Sequence, residues 1–189
     1  FAIAKERGET PLYWHQDWAF WDEPEAADHM PHQLFFMYYL TDTQVENGCL
    51  RLIPKSHRQR FDLHEHLGKG HDSDIRHTDD HRHPLFSEHS AEIDVSINAG
   101  DLVVGDARLL HSAHTNQTGE RRTVLTLWYL PCYDKTSERV RAGYRERTNT
   151  AALEELCAED RQRIAPLVAD YKGDVEPAVW NRVPGALLR

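Results

Sequence analysis

Short apolar runs of strand length, each closed by turn chemistry, fill the first two thirds of the chain and point to a β-sandwich or barrel. Leu34 to Leu40 (LFFMYYL) is aromatic and apolar, ends at Thr41-Asp42, and is followed by the turn residues Glu46-Asn47-Gly48. Cys49 to Ile53 (CLRLI) is a second run, stopped by Pro54. Ala91 to Ile97 alternates, with Ile93, Val95 and Ile97 on one face. Asn98-Ala99-Gly100-Asp101 turns the chain into Leu102-Val103-Val104, and Thr123 to Leu130 is another β-branched and aromatic run. The aromatics of the 34–40 run, Phe35, Phe36, Tyr38 and Tyr39, read as core and sheet packing.

The last third changes character. Thr148-Asn149-Thr150 predicts a cap for a helix over Ala151 to Ala158, with Glu154 and Glu155 near its positive end. Arg161 to Tyr171 continues as helix with a bend at Pro166. The expected organisation is one domain over 1–189: a β core over 1–135 with a long loop at 56–90, and a helical extension over 136–189 packed outside it.

The 56–90 stretch holds His57, His64, His66, His71, His77, His81, His83 and His89, eight of the 13 histidines. Mixed with Asp, Lys and Arg, it reads as a solvated excursion over the mouth of the barrel. A second metal site from His64-x-His66 or His81-x-His83 is the competing reading.

Composition narrows the function. With 40% hydrophobic and 28% charged residues the chain is a folded protein, and its net charge of −9 argues against nucleic acid as a partner. No apolar run approaches the ~20 residues of a membrane span. Cys49, Cys132 and Cys157 have neither disulfide nor zinc spacing, so they read as free thiols of a reducing cytoplasm. The chain opens at Phe1-Ala2-Ile3-Ala4 without an initiator Met or signal peptide, which suggests trimming or a start inside a longer protein.

The sharpest local signal is Trp14-His15-Gln16-Asp17-Trp18. On a strand, residues i and i+2 share a face, so His15 and Asp17 project together while Trp14, Gln16 and Trp18 point away. An imidazole and a carboxylate so placed provide two ligands of the facial triad that holds Fe(II) with positions left open. The third ligand is read as His111, which follows the turn, strand and bend of Ala99 to Leu110; His114 is its competitor, with a substrate-facing or supporting role. Eleven residues on, Arg122 opens a run in which Arg122, Val124, Thr126 and Trp128 share one face. A guanidinium on an apolar face is costly without an anion and pairs bidentately with a carboxylate. The distal carboxylate of 2-oxoglutarate is the expected partner, and Arg121 is the solvent-facing neighbour.

Together these pieces resemble the phytanoyl-CoA dioxygenase family of Fe(II)/2-oxoglutarate oxygenases. The matching segments are Trp14-His15-Gln16-Asp17, Leu40-Thr41-Asp42, Glu46-Asn47-Gly48-Cys49-Leu50, Ile53-Pro54-Lys55-Ser56-His57, Gly100-Asp101-Leu102-Val103, and His111 with Asn116 and Arg122 behind it, in order over residues 1 to 135. The resemblance implies a double-stranded β-helix (jelly-roll, cupin-like) barrel with flanking helices. It implies His15, Asp17 and His111 as catalytic metal ligands, Arg122 and the Met37 position as cosubstrate contacts, and Fe(II) and 2-oxoglutarate as cofactors. It also implies a small organic substrate and molecular oxygen as reactants. Near His15 the spacing is similar to ectoine hydroxylases, in which an aromatic residue four past the Asp contacts substrate. That residue is Trp21 here, and Trp18 and His114 are the other expected substrate contacts. The chain departs from the family at Ala113, where a small hydroxyl residue is common, and at Met37, where a polar or aromatic contact is. A helical segment of many tens of residues usually precedes the metal strand, where this chain has 14 residues.

The expected reaction is hydroxylation with release of succinate and CO2. A retained Asp17 argues against halogenation, because related halogenases free that position for chloride. The rivals are a non-catalytic cupin-like protein that binds metal or small molecules, and an oxygenase relic. Arg122 favours the enzyme, since a plain cupin needs no carboxylate clamp.

Overall fold

The computed structural model describes residues 1–68, 75, 82–148, 150–186 and 188. Two compact units divide the chain: Phe1–Pro131 together with Asn181–Arg189, and Cys132–Trp180.

The first unit holds eight strands in two four-stranded antiparallel sheets. The strands are β1 (Ala2–Lys5), β2 (Leu12–His15), β3 (Leu34–Tyr39), β4 (Leu50–Leu52), β5 (Ile93–Val95), β6 (Leu102–Asp106), β7 (His111–Ala113) and β8 (Arg122–Tyr129). One sheet has the order β1-β8-β3-β6 and the other β2-β7-β4-β5. This is the strand arrangement of a jelly roll; the pairing gives two sheets and does not itself join them into a closed barrel. Every expected run forms a strand, shorter than the apolar pattern in most cases. Residues that alternate on β8 explain the packing: Arg122, Val124 and Thr126 are buried, while Leu125 and Leu127 are exposed. Phe35 and Tyr39 are core residues, whereas Tyr38 is exposed and Phe36 stacks on Tyr129, so only half of that aromatic run faces inward.

The inner faces of the two sheets meet. Phe35 of β3 lies with its ring 4.8 Å from that of His111 on β7. Gly105 makes room for it, because a Cβ there would stand 2.0 Å from Phe35 Cζ. Gly105→Ala is expected to destabilise the protein by about 1–3 kcal/mol through overpacking. A thermal melt checks this, and Phe35→Leu in the Gly105→Ala background should recover much of the loss.

The 56–90 segment is less solvated than its composition suggests. Leu63 and Leu85 join Tyr13, Trp14, Ile53 and Leu110 in one apolar cluster. His64 is 2% exposed, and burial pushes its pKa down to about 4. His64 and His66 do not form a metal cluster among the described residues, and His71, His77 and His81 lie outside them. The matched motif around Ser56 has a positional role: its hydroxyl donates to Ile53 O at 2.7 Å and accepts the Leu110 N–H at 2.8 Å, next to His111.

The second unit contains α1 (Glu138–Arg147), α2 (Thr150–Glu154) and α3 (Ala158–Ile164). Helix α1 is not among the expected elements; Ser137 caps it by accepting the Val140 N–H. The sequence pattern predicts one helix through 151–158, whereas Cys157 caps a separate helix by accepting the Asp160 N–H. Helix ends at Ile164, before a 3-10 turn over Ala165–Leu167 that contains Pro166, instead of reaching Tyr171. All three cysteines are free thiols. No helix among the described residues is long and apolar enough to cross a membrane.

Candidate metal centre and anion pocket

His15 and His111 lie far apart in the chain and opposite each other in space. They are ladder partners on β2 and β7, and their rings lie 4.2 Å apart between centroids. Between Leu12 and His15 the register shifts, with three steps on β2 against two on β7. Such a bulge re-aims side chains, and here Tyr13, Trp14 and His15 are all buried. His15 Nδ1 donates to Tyr13 O at 2.9 Å, and His111 Nδ1 donates to Leu109 O at 3.0 Å. A carbonyl only accepts, so both rings carry their proton on Nδ1 and present an Nε2 lone pair.

Asp17 completes the group, though not from the strand. β2 ends at His15, and Asp17 sits on the irregular segment beyond it. Ala107 O fixes that segment by accepting the N–H groups of both Asp17 and Trp18 at 2.8 Å. One carboxylate oxygen lies 3.8 Å from His15 Nε2, the other 3.7 Å from His111 Nε2. The three donor atoms lie within 4.8 Å of one another, and all three residues are buried. Trp128 Nε1 donates to Asp17 Oδ2 at 2.9 Å, and Arg182 Nη1 is 3.9 Å from Oδ1. Burial opposes ionisation of Asp17, but His111, His15, Arg182 and the Trp128 hydrogen bond outweigh it and hold the carboxyl below its usual range. A buried cluster of two imidazoles and one carboxylate, all donor atoms convergent, suits a divalent transition metal with open positions.

The inner face of β8 leads from this cluster to Arg122. Trp128 pairs with Phe35, Thr126 with Met37 and Val124 with Tyr39, and at the far end Arg122 pairs with Lys5. Arg122 is 4% exposed, and its Nε has no hydrogen-bond partner among the described residues; Thr126 Oγ1 is likewise buried and unpartnered among them. An orphaned guanidinium N–H and an orphaned hydroxyl on one inner face are what a bound carboxylate would satisfy, so the residues fit a keto acid spanning metal and arginine. Arg121 points outward, 61% exposed, and meets Glu6 at 3.2 Å.

The structure separates the other expected contacts. Met37 shares the inner face, with its sulfur 4.0 Å from the Tyr39 hydroxyl. Trp18 and Trp21 are each 1% exposed, with buried indole N–H groups that have no hydrogen-bond partner among the described residues. His114 departs from expectation. Strand alternation from His111 sends it to the opposite face, where it bonds Asp94 at 2.6 Å beside Cys49. Arg182, Lys5 and Thr126 carry no local signal in the sequence; the Arg182 segment lies against the chain that follows β2, where Phe20 bridges Asn181 and Arg182 Nη1 donates to Gln16 O at 3.4 Å. Trp128 lies on the face that strand alternation expects, but nothing in the sequence signals that its indole holds Asp17.

A search of curated proteins returned no match. Among solved structures, the chain is similar to AviO1 from Streptomyces viridochromogenes Tue57, at 24% identity over 69% of this chain and 49% of that one, with a TM-score of 0.46. EvdO2 from Micromonospora carbonacea var. aurantiaca matches at 24% identity over 67% and 48%, with a TM-score of 0.46. The non-heme alpha ketoglutarate dependent epimerase SnoN from nogalamycin biosynthesis matches at 23% identity over 67% and 45%, with a TM-score of 0.45. The chain spans about half the length of these structures. The family model for phytanoyl-CoA dioxygenase (PhyH) matches residues 1–124, which include His15, Asp17, His111 and Arg122, and the chain belongs to that family.

Proposed function

We propose that the chain is an Fe(II)/2-oxoglutarate-dependent oxygenase that hydroxylates a small organic molecule and forms succinate and CO2. The observation that carries this reading is the convergence of His15, Asp17 and His111 beside Trp128 at one end of β8, with Arg122, its Nε unpartnered among the described residues, at the other end of the same strand. Iron bound at the cluster supplies oxygen activation and the oxidative decarboxylation of the keto acid. The protein's own residues do the rest. The two Nδ1–H donations aim Nε2 of each histidine. Trp128 and Arg182 hold Asp17 ionised and oriented. Arg122 takes the distal carboxylate, with Thr126 and Met37 along the path between.

Trp18 and Trp21 lie one and four residues past Asp17, and their indole N–H groups, unpartnered among the described residues, support them as substrate-facing donors. His114 is not carried into this site, because its imidazole is turned to Asp94. With Asp17 retained, the oxidation is hydroxylation, or desaturation or ring closure, and not halogenation.

Purified protein supplied with Fe(II), oxygen and 2-oxoglutarate should release succinate, and the His111→Ala protein should not. Stoichiometric binding of metal and keto acid without succinate, in the presence of a broad metabolite mixture, would favour the non-catalytic cupin-like reading instead.

A further inference from the structure

Arg122 does not stand alone in its pocket. Lys5 is its ladder partner on β1, so the two side chains leave one rung of the sheet towards the same face. Both are buried, at 6% and 4% exposure. Neither makes an ion pair among the described residues. The Lys5 stem runs past Gly48, where a Cβ would stand 3.2 Å from its Cδ. Its ammonium donates to His114 O at 2.6 Å. An ammonium has three donors, and this carbonyl takes one.

Two buried cations on one rung repel each other, and both lose hydration. No carboxylate of the protein offsets this pair at hydrogen-bond range among the described residues. The charged and titratable groups around Lys5 are Arg122 from β8, Arg51 from β4, Glu9 from the segment after β1, Tyr39 at the end of β3 and Cys49 before β4. Tyr39, pushed up to about 12, and Cys49, pushed up to about 11, both mainly by burial, are neutral near pH 7. Arg51 is engaged elsewhere, with Glu92 and Ser112. What the pair lacks is an anion with two acceptor oxygens.

We propose that Lys5 is a second cationic contact for the distal carboxylate of 2-oxoglutarate, set beside Arg122; this rests on the cosubstrate reading above. One carboxylate oxygen then faces the guanidinium and the other the ammonium. A keto acid without a distal carboxylate leaves both cations buried and unpaired and is rejected on that ground.

The arrangement couples binding to a proton. Burial, with the Arg122 charge next, holds Lys5 down to about 7. A carboxylate beside it raises that value, so above pH 7 the ligand-free lysine is largely neutral and binding takes up a proton. Affinity for 2-oxoglutarate therefore falls as pH rises above 7.

The test is titration calorimetry of the Mn(II)-loaded protein with 2-oxoglutarate and with 2-oxopentanoate, which lacks the distal carboxylate, in buffers of different ionisation enthalpy. At about pH 8 the unmodified protein should take up close to one proton with 2-oxoglutarate and none with 2-oxopentanoate. Lys5→Met should weaken 2-oxoglutarate by about 10- to 100-fold, narrow its preference over 2-oxopentanoate and abolish the proton uptake. Lys5→Arg should retain most of the affinity. Unchanged 2-oxoglutarate affinity in Lys5→Met, or no proton uptake by the unmodified protein, overturns the assignment while Arg122 keeps its role. The proton measurement needs no variant, so it decides the matter even if Lys5→Met fails to fold. If the unmodified protein does not bind 2-oxoglutarate at all, the cosubstrate reading falls and this inference with it.

Discussion

His111→Ala is expected to lose its metal while the sheets stay folded. The residue is one of three convergent donors, and its Nε2 lies 3.7 Å from Asp17. Removing even an outer group that orients a ligand costs about 10–100-fold in metal affinity. Removing a ligand itself should cost more than about 100-fold. The outer groups here make a graded series. Trp128→Phe deletes one hydrogen bond to Asp17 and should cost about 10–100-fold, with ring packing against Phe1 kept. His64→Ala and His83→Ala should leave metal content unchanged, because neither belongs to the cluster. Metal content of each purified variant after dialysis against Fe(II) or Mn(II) measures the series. Full occupancy in His111→Ala would remove it from the ligand set.

Much of this centre was legible in the sequence because strand periodicity is local. His-x-Asp is a two-residue spacing, and Arg122, Val124 and Thr126 alternate as a half-buried strand must. The parts that were not legible depend on pairing between distant segments. Nothing in Leu12 to His15 announces the bulge, which appears only when β7 is laid beside β2. Asp17 was placed on the strand by spacing; the strand in fact stops at His15, and Ala107 O holds the next residues. The family motifs had visible positions and hidden reasons. Gly48 has φ +88°, and a Cβ there would stand 2.8 Å from His114 O. Asn116 donates to Lys5 O and Glu120 O and so ties the turn before Arg122 to β1. Helix α1 was missed because its sequence, ERVRAGYRER, buries only Val140, Ala142 and Gly143, too few apolar positions to read as a stripe.

Arg122 carries the second large effect, and its two consequences run in opposite directions. A hydrogen bond to a charged partner is worth about 1.5–3 kcal/mol, so Arg122→Met should weaken 2-oxoglutarate by roughly 10- to 100-fold without loss of metal. Arg122→Lys should recover part of this, because an ammonium keeps the charge and loses the bidentate fork. Arg121→Ala should change nothing, since its ion pair with Glu6 is more than half exposed on both sides. In the ligand-free protein the same residue is a burden: a buried cation with an unpartnered Nε, next to Lys5, whose amine it helps to hold at about 7. Met at this position removes the buried charge and keeps most of the volume, so the ligand-free Arg122→Met protein should melt at a higher temperature than the unmodified one. With saturating 2-oxoglutarate the order should reverse, because only the unmodified protein gains the full linkage stabilisation. Melting curves of both proteins with and without the keto acid read this directly. A variant that is less stable in both conditions would make Arg122 a structural residue of the sheet and leave the distal carboxylate without its partner.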